Sequence, residues 1–255
     1  MQSGMKTEME ITLDGIRDIQ IYQNRKGYRF SADALLLYCF VNVKHADNIA
    51  DLGTGSGIIG LLLGRKYSDA KVLLVELQES LYSLAEKNII MNNLQDRVEV
   101  VLVDIKDMKK KELLRQYDLV VSNPPFRKPT TGLLSIGEEK AVARHELRLE
   151  LADLAAAASH LLKARGRFCM IFHPERLFEV IDTLRRNRLE PKRIRFVHND
   201  VNAVSKIVLI EAVKDGRAGI KVEKPLFMYN KEGEYTAEVS EMYGKNKSEA
   251  RPIDM

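Results

Sequence analysis

The chain has 255 residues, 45% of them hydrophobic, which is enough for a full core and fits either one large domain or two small ones. Its 40 Lys and Arg against 36 Asp and Glu leave a net charge of +4, which excludes a polycation of the histone type and confines any nucleic-acid surface to a local patch. Cys39 and Cys169 lie in apolar runs without disulfide or metal spacing, no stretch reaches the roughly 20 apolar residues of a membrane span, and the N-terminus lacks an apolar signal core. We expect a soluble, cytoplasmic protein.

The beginning of the chain predicts a hairpin and a helix. Residues 10–23 alternate between apolar and polar side chains like two short strands, and the stretch S-A-D-A-L-L-L-Y-C-F-V that follows is typical of a helix capped by Ser31. We expect residues 1–45 to form an N-terminal extension packed on a core of residues 46–220. Residues 221–255 would form a C-terminal tail, all within a single domain.

From Asp47 onward, short apolar runs alternate with longer segments of helical period, which is the pattern of a parallel sheet flanked by helices. The predicted strands are 48–51, 71–76, 98–104, 118–122, 166–172, 192–197 and 205–212, and the predicted helices are 57–66, 79–92, 150–163 and 174–188. The last two strands are separated by too few residues for a parallel crossover, so they should pair as an antiparallel hairpin at one edge. The predicted fold class is α/β and Rossmann-like, with a seven-stranded, mostly parallel sheet and one antiparallel edge strand.

A glycine-rich turn, A-D-L-G-T-G-S-G-I-I-G at residues 50–60, follows the first strand of this sheet. Gly53, Gly55 and Gly57 allow the backbone to turn tightly and approach a ligand, which the N-terminal N–H groups of the next helix can also contact. Read from Gly55, the string also satisfies the dinucleotide fingerprint G-x-G-x-x-G. The turn alone therefore leaves a nicotinamide dinucleotide open as the ligand.

Asp51, at the strand end just before the turn, favours one of the two possible ligands over the other. Its carboxylate would repel a pyrophosphate and suits a ligand that carries an amino group. S-adenosylmethionine is such a ligand, and S-adenosylhomocysteine is its product. The pattern D-x-G-x-G-x-G resembles motif I of the class I methyltransferases. The same resemblance implies that Glu76, at the end of the second strand, holds the ribose hydroxyl groups and that Asp104 accepts a hydrogen bond from the adenine amino group. The alternative for both acids is that they cap the following helices.

The stretch V-V-S-N-P-P-F, residues 120–126, ends the fourth strand in a way that sheet pairing does not explain, because two prolines remove two backbone donors. In this topology the end of the strand lies beside the glycine turn, so the motif would lie against the cofactor. The side-chain carbonyl of Asn123 and the backbone carbonyl of Pro124 offer two acceptors to one amino nitrogen, and Phe126 offers a ring on which a flipped-out base can stack. With Pro125, these residues form the predicted catalytic motif, which matches the [N/D/S]-P-P-[Y/F/W] motif of amino-methyltransferases. The alternative is a simple strand terminator.

Three further stretches carry a closer resemblance: G-Y-R-F-S-A-D-A-L-L-L near the start, A-R-H-E after the N-P-P-F motif, and L-E-P-K-R-I-R-F-V-H late in the chain. Together with N-P-P-F they resemble the bacterial tRNA (adenine-N6) methyltransferases that modify the adenosine next to the anticodon of valine tRNA. The resemblance implies that Phe30, Ser31 and Asp33 contact the cofactor; for Asp33 an ordinary helix cap is the alternative. Many members carry N-P-P-Y-F, whereas Arg127 follows Phe126 here. N-P-P-F also occurs in guanine-N2 ribosomal RNA methyltransferases, so guanine N2 stays open as the target.

Cationic residues suggest how an RNA would be held. Arg127, Lys128, Arg144 and His145 lie in the long segment after the N-P-P-F motif and are the candidate substrate-binding residues. Six cations are concentrated in residues 185–195, which form either a phosphate-tracking surface or an ordinary solvated face. The leading prediction is methylation of adenine N6 in tRNA, with no obligate protein partner. The alternatives are guanine-N2 methylation of ribosomal RNA, methylation of a glutamine amide in a protein, a dehydrogenase, and a non-catalytic module that binds the cofactor and RNA.

Overall fold

The structure, a computed structural model, describes residues 11–24, 32–110, 116–124 and 151–244. Its strands are β1 Ile11–Ile16, β2 Ile19–Asn24, β3 Asn48–Leu52, β4 Lys71–Glu76, β5 Val98–Leu102, β6 Tyr117–Ser122, β7 Leu162–Phe172, β8 Leu189–His198, β9 Ser205–Lys214, β10 Lys221–Val222 and β11 Leu226–Phe227. Its α-helices are α1 Ala32–Phe40, α2 Ile58–Lys66, α3 Glu79–Met91, α4 Leu151–Leu161, α5 Leu177–Arg186 and α6 Ala237–Tyr243, with 3₁₀ helices at Ile105–Lys110 and Pro174–Arg176. None of the helices in these ranges is long and apolar enough to cross a membrane.

The main sheet has the strand order β10-β8-β9-β7-β6-β3-β4-β5, and β11 also pairs with β8. Its pairings are parallel except those of β9, which runs antiparallel to both β7 and β8. The predicted Rossmann-like, mostly parallel sheet with an antiparallel edge is confirmed. In detail, β9 lies between β7 and β8, because the short connection between β8 and β9 folds the chain back on itself. β10 and β11 have two residues each, too few to give a periodic signal in the sequence.

Helices cover both faces of the sheet, and each face has its own apolar core. On one face, the hairpin β1–β2 packs together with α1, α2, α3 and α6. On the other face, α4 and α5 pack with the 3₁₀ helix that follows β5. Leu52, Leu74 and Val121 in the central strands are completely buried. Burial on both faces explains why these strands consist of continuous Val, Ile and Leu runs instead of alternating ones.

The two cysteines are free, as the apolar runs around them predict. Cys169 is fully buried in β7, and burial raises the pKa of its thiol. Cys39 is partly buried in α1, where burial also raises the pKa of the thiol. Both side chains are therefore protonated at neutral pH and act as small apolar groups.

Two glycines in α2 differ in the space around them and test how closely α2 packs on β4. A Cβ atom at Gly60 would lie 2.1 Å from Cδ2 of Leu74, whereas at Gly64 the nearest atom would be Cγ2 of Val98 at 3.3 Å. Leu74 is fully buried, so its side chain would have to shift within the core to admit the added methyl group. We therefore expect Gly60→Ala to lower the free energy of unfolding by about 1–3 kcal/mol.

Gly64→Ala is the matched control for this prediction. It should change the free energy of unfolding by less than about 1 kcal/mol, because the gain in helix propensity offsets the milder contact. Urea denaturation of the two variants measures the difference. Equal stabilities would contradict the close approach of α2 to β4 at Gly60.

Candidate functional site at the carboxyl ends of the strands

The carboxyl ends of β4, β3 and β6 lie side by side at one edge of the sheet, with β3 in the middle. The register pairs Asp51 of β3 with Val121 of β6. The hydroxyl group of Ser122 donates a hydrogen bond of 2.7 Å to the carbonyl oxygen of Leu52. This bond ties the end of β6 to the residue that precedes the glycine turn. Asn123, the next residue, is thereby placed beside the turn.

The glycine turn has the backbone conformation that its sequence predicts. Gly53, Gly55 and Gly57 have φ angles of 71°, 62° and 93°, in the left-handed region that residues with a Cβ atom rarely adopt. The N–H groups of Gly53 and Thr54 both donate to the carbonyl oxygen of Val75, at 2.9 and 3.0 Å. Gly57 is the N-cap of α2, so the turn leads directly into the helix. The shape of the turn therefore requires the three glycines, while their contact with a cofactor stays a prediction.

Asp51 is fully buried, and only one of its carboxylate oxygens has a hydrogen-bond partner. Oδ2 accepts hydrogen bonds from the hydroxyl group of Thr54 at 2.6 Å and from the N–H group of Gly60 at 3.0 Å. Oδ1 has none. Burial raises the pKa of Asp51 to about 6, against the lowering effect of the two hydrogen bonds. A buried carboxylate oxygen without a partner costs free energy, which a cationic donor would recover.

Glu76, at the end of β4, holds the backbone around it. Its Oε2 accepts a hydrogen bond from the N–H group of Gly55 at 2.8 Å, and its Oε1 accepts from the N–H groups of Leu77 and Gln78 at 2.8 and 2.9 Å. The bonds at Oε1 fix the two residues that precede α3, and they leave the N–H groups of its first turn without a side-chain cap. A carboxylate has about four acceptor sites, so Oε2 keeps one for a ribose hydroxyl group. Burial raises the pKa of this carboxyl group.

Asp104 follows β5 and has a capping bond, because its Oδ1 accepts a hydrogen bond of 2.9 Å from the N–H group of Lys106. Two leucines at this edge stay exposed, Leu77 by 54% and Leu102 by 46%. Sequence reasoning missed them. They offer apolar surface near two acidic side chains, which suits a flat ring such as adenine whose rim carries polar groups. For Leu77 the one signal in the sequence is its place directly after an acid at a strand end, and Leu102 has no such signal, because Val103 separates it from Asp104.

The described half of the N-P-P-F motif lies where the sequence places it. Asn123 is partly exposed and Pro124 is buried, directly after β6. Pro125 and Phe126 lie outside the described residues, as do the predicted cofactor contacts Phe30 and Ser31. The predicted substrate-binding residues Arg127, Lys128, Arg144 and His145 also lie outside them. The catalytic and binding roles of all these residues stay predictions.

Asp33 lies in the first turn of α1, close to the C-terminal helix α6. Burial is the largest cause that raises the pKa of Tyr243 in α6, and the negative charge of Asp33 is the smallest of the contributions. The ring of Tyr243 stacks on that of Tyr235, with 5.3 Å between the ring centroids. Asp33 therefore has a structural neighbour in α6, and its predicted contact with the cofactor is untested.

Each of the six cationic side chains in residues 185–195 has an ion-pair or hydrogen-bond partner within the protein. Their partners are Glu190 for Arg185, Asp182 for Arg186, Asp215 for Arg188, the carbonyl oxygen of Gly219 for Lys192, Glu211 for Arg193 and Glu238 for Arg195. Most of these acids are distant in sequence. The segment therefore looks basic in the sequence, but in the fold its positive charges lie beside acidic side chains. The pairing favours the interpretation of this segment as an ordinary surface over that of a phosphate-tracking surface.

The described residues fit S-adenosylmethionine. The unpaired Oδ1 of Asp51 is suited to the ammonium group of its amino-acid tail, and Glu76 keeps an acceptor for a hydroxyl group. A dinucleotide would bring a pyrophosphate next to two buried carboxyl groups, which opposes its binding. The arrangement can therefore hold a cationic, phosphate-free nucleoside at the turn.

Cofactor binding should depend on pH through Asp51. With the pKa of this carboxyl group at about 6 in the free protein, only about one molecule in ten is ionised at pH 5, and the ionised form is the one that attracts an ammonium group. We expect the Kd for S-adenosylmethionine to rise about tenfold between pH 7 and pH 5. Isothermal titration calorimetry at the two pH values measures this. Asp51→Asn, which does not titrate, should remove most of the dependence, and a flat wild-type profile would contradict the assignment.

Comparison with known proteins identifies the family. The model of the methyltransferase small domain family matches residues 30–186 of the 255 residues, more than half of the chain. A tRNA1(Val) (adenine(37)-N6)-methyltransferase from Phocaeicola vulgatus is 29% identical over 194 residues, which cover 76% of this chain and 80% of the relative. A protein of the same name from Porphyromonas gingivalis is 31% identical over 175 residues, which cover 66% of this chain and 68% of the relative.

A solved structure agrees with these matches at the level of the fold. The crystal structure of a predicted O-methyltransferase from Agrobacterium tumefaciens superimposes with a TM-score of 0.68 at 22% identity, covering 83% of this chain and 95% of the other. At that identity the likeness concerns the fold alone. The chain belongs to the methyltransferase small domain family, as a class I, S-adenosylmethionine-dependent methyltransferase related to the tRNA1(Val) (adenine(37)-N6)-methyltransferases.

Proposed function

We propose that the protein transfers the methyl group of S-adenosylmethionine to the exocyclic N6 atom of an adenine in tRNA, at position 37 beside the anticodon. The observation that carries the proposal is the bond from Ser122 to Leu52, which supports a position of Asn123 beside a glycine turn with an unpaired buried carboxylate oxygen on Asp51. The choice of adenine N6 as the acceptor and of tRNA as the substrate rests on the relatives, which are named as tRNA1(Val) (adenine(37)-N6)-methyltransferases. Such an enzyme would act in the cytoplasm, on tRNA as its partner.

The chain contributes acceptors and position, without a strong base. The side-chain carbonyl of Asn123 and the backbone carbonyl of Pro124 would accept hydrogen bonds from the two N–H bonds of the adenine amino group. The nitrogen would gain positive charge as its bond to the methyl carbon forms and the carbon–sulfur bond breaks, and two fixed carbonyl dipoles would stabilise that charge until one proton of the amino group is lost to solvent. S-adenosylmethionine, when bound, supplies a methyl group on a positively charged sulfur. The remaining task of the site is to exclude water and hold the base, which is the role proposed for the ring of Phe126.

Nucleoside mass spectrometry tests the proposal. Unmodified bulk tRNA and ribosomal RNA are incubated separately with the purified protein and methyl-labelled S-adenosylmethionine, then digested to nucleosides. We expect the label in N6-methyladenosine from the tRNA. A matched reaction with the Asp51→Asn variant at low cofactor concentration controls for contaminating methyltransferases.

Each alternative predicts a different product in the same experiment. Label in N2-methylguanosine from ribosomal RNA would keep the chemistry and replace the substrate. Label in neither RNA, with the cofactor bound, would overturn the proposal and favour a protein glutamine substrate or a non-catalytic module. A proteome digest searched for N5-methylglutamine then separates those two.

A further inference from the structure

Two buried asparagines, one in α3 and one at its C-cap, face the second strand of the N-terminal hairpin. Asn88 and Asn92 are one helical turn apart, with exposed fractions of 0% and 4%. Asn88 accepts a hydrogen bond from the N–H group of Tyr22 at 2.7 Å and donates to the carbonyl oxygen of the same residue at 3.1 Å. Asn92 makes the same pair of bonds with Gln20, at 2.9 and 2.6 Å. The two amides therefore bond to β2 as a neighbouring strand would.

The second N–H bond of each amide distinguishes the two asparagines. That of Asn92 returns to the end of α3, where it donates to the carbonyl oxygen of Asn88 at 2.7 Å. That of Asn88 leaves the helix and donates to the carbonyl oxygen of Ser56 at 2.8 Å. Ser56 is buried between Gly55 and Gly57, in the middle of the glycine turn. Only Asn88 of this pair thus connects the hairpin with the turn.

The other bonds of the turn show what this contact adds. The N–H groups of Gly53 and Thr54 are anchored on β4, and the N–H group of Gly55 is anchored on Glu76. Asn88 donates its hydrogen bond to the carbonyl group of Ser56, the residue that follows Gly55. Glycine has many accessible backbone conformations. A turn with three glycines at positive φ therefore needs such hydrogen bonds to keep one shape.

We propose that Asn88 is a positioning residue of the cofactor site, which fixes the second half of the glycine turn through Ser56 and couples its shape to the docking of the N-terminal hairpin. This inference rests on the proposed function, because it assumes that the turn holds S-adenosylmethionine. Without Asn88, cofactor binding must also order the turn, which weakens binding. The chemistry at Asn123 is unchanged once the cofactor is bound.

The test compares Asn88→Ala with Asn92→Ala by calorimetric titration of S-adenosylmethionine, thermal unfolding and steady-state kinetics on tRNA. Both variants lose the bonds to β2, so both should have a lower Tm. We expect Asn88→Ala to raise the Kd for the cofactor about tenfold and to raise its KM with little change in kcat. Asn92→Ala should leave the Kd within about twofold of the wild type. If Asn88→Ala does not fold, Asn88→Leu, which fills a similar space and has no donor for Ser56, takes its place with the same expected increase in Kd.

Each outcome decides between a positioning role and a merely structural one. Similar Kd values in the wild type and both variants, with lower Tm values alone, would overturn the proposal. Equal increases in Kd for Asn88→Ala and Asn92→Ala would overturn it too, because the hairpin and not the bond to Ser56 would then be responsible. A wild-type protein that binds the cofactor but methylates no RNA would contradict the proposed function and leave this comparison of Kd values intact.

Discussion

Replacement of Asn123 by alanine is expected to lower the rate of methyl transfer to tRNA by about 10²–10³-fold, the range found when one fixed group that stabilises developing charge is removed. The affinity for S-adenosylmethionine should change by less than about threefold, because Asp51 and the glycine turn are untouched. The reason for the split is positional. Asn123 follows β6, where the bond from Ser122 to Leu52 sets its place, and its side chain would meet the amino group of the base.

Single-turnover kinetics at saturating cofactor measure the chemical step, and calorimetry measures the affinity. Asn187→Ala is a matched control, since Asn187 is an asparagine at the C-cap of α5, where its amide donates to Thr183. It should reduce neither quantity by more than about twofold. An Asn123→Ala variant that transfers methyl groups at the wild-type rate would remove this residue from the catalytic motif.

Replacement of Asp51 by asparagine is expected to have opposite effects on binding and on stability. Loss of the buried carboxylate should weaken S-adenosylmethionine binding by about 100-fold, because the ammonium group of the cofactor loses its charged acceptor. The free protein should become more stable at neutral pH. Asparagine keeps an acceptor for Thr54 and Gly60 and carries no charge into the interior, although its NH2 group takes the unpaired position of Oδ1 and offsets part of the gain.

The sign and the pH range of the stability change follow from the pKa. Burial raises the pKa of Asp51 from 3.8 to about 6, so the stabilisation from the protonated form is complete below pH 3.8 and is lost as the pH rises through 6. The advantage of Asp51→Asn should therefore appear between pH 4 and pH 6 and stay constant above pH 7. At 1.36 kcal/mol per pKa unit it reaches up to about 3 kcal/mol. Urea denaturation without cofactor, at pH 4 and pH 7.5, measures it.

Asp118→Asn is the contrasting control for this prediction. Asp118 is less buried and accepts hydrogen bonds from Lys163 and from the N–H groups of Asp47 and Asn48, which together outweigh burial and lower its pKa. The ionised form of Asp118 therefore stabilises the fold. This stabilisation is complete above the pKa that Asp118 has in the unfolded chain, and it is lost as the pH falls through the lower pKa of the folded state. Asp118→Asn should lower stability at neutral pH. Destabilisation by Asp51→Asn at neutral pH would contradict the assignment of an unsatisfied carboxylate.

The sequence predicts the sheet and the edge that carries the site because both have local signals. Continuous Val, Ile and Leu runs mark strands that are buried on both faces, and the glycine turn requires φ angles that glycine adopts readily. Asp51, Glu76 and Asn123 follow apolar runs, so a parallel sheet brings them to one edge. The position of these three residues at one edge of the sheet can therefore be predicted from the topology alone.

Contacts between distant residues have no such signal. Asn88 and Asn92 read as ordinary polar helix residues, and their bonds to β2 depend on how the hairpin packs on α3. The cations of residues 185–195 look like a basic surface until the fold brings Glu211, Asp215 and Glu238 to them. The exposure of Leu77 likewise depends on which strands border it. Tertiary structure decides these cases, and residue type and periodicity do not.

The central claim is that this site methylates the exocyclic nitrogen of adenine 37, and two tRNA1(Val) transcripts test it most directly. One carries adenosine at position 37 and the other guanosine, and both are incubated with the protein and methyl-labelled S-adenosylmethionine. We predict label in N6-methyladenosine at position 37 of the first transcript and none in the second. Equal labelling of both transcripts, or label at another position of the first, would contradict the claim.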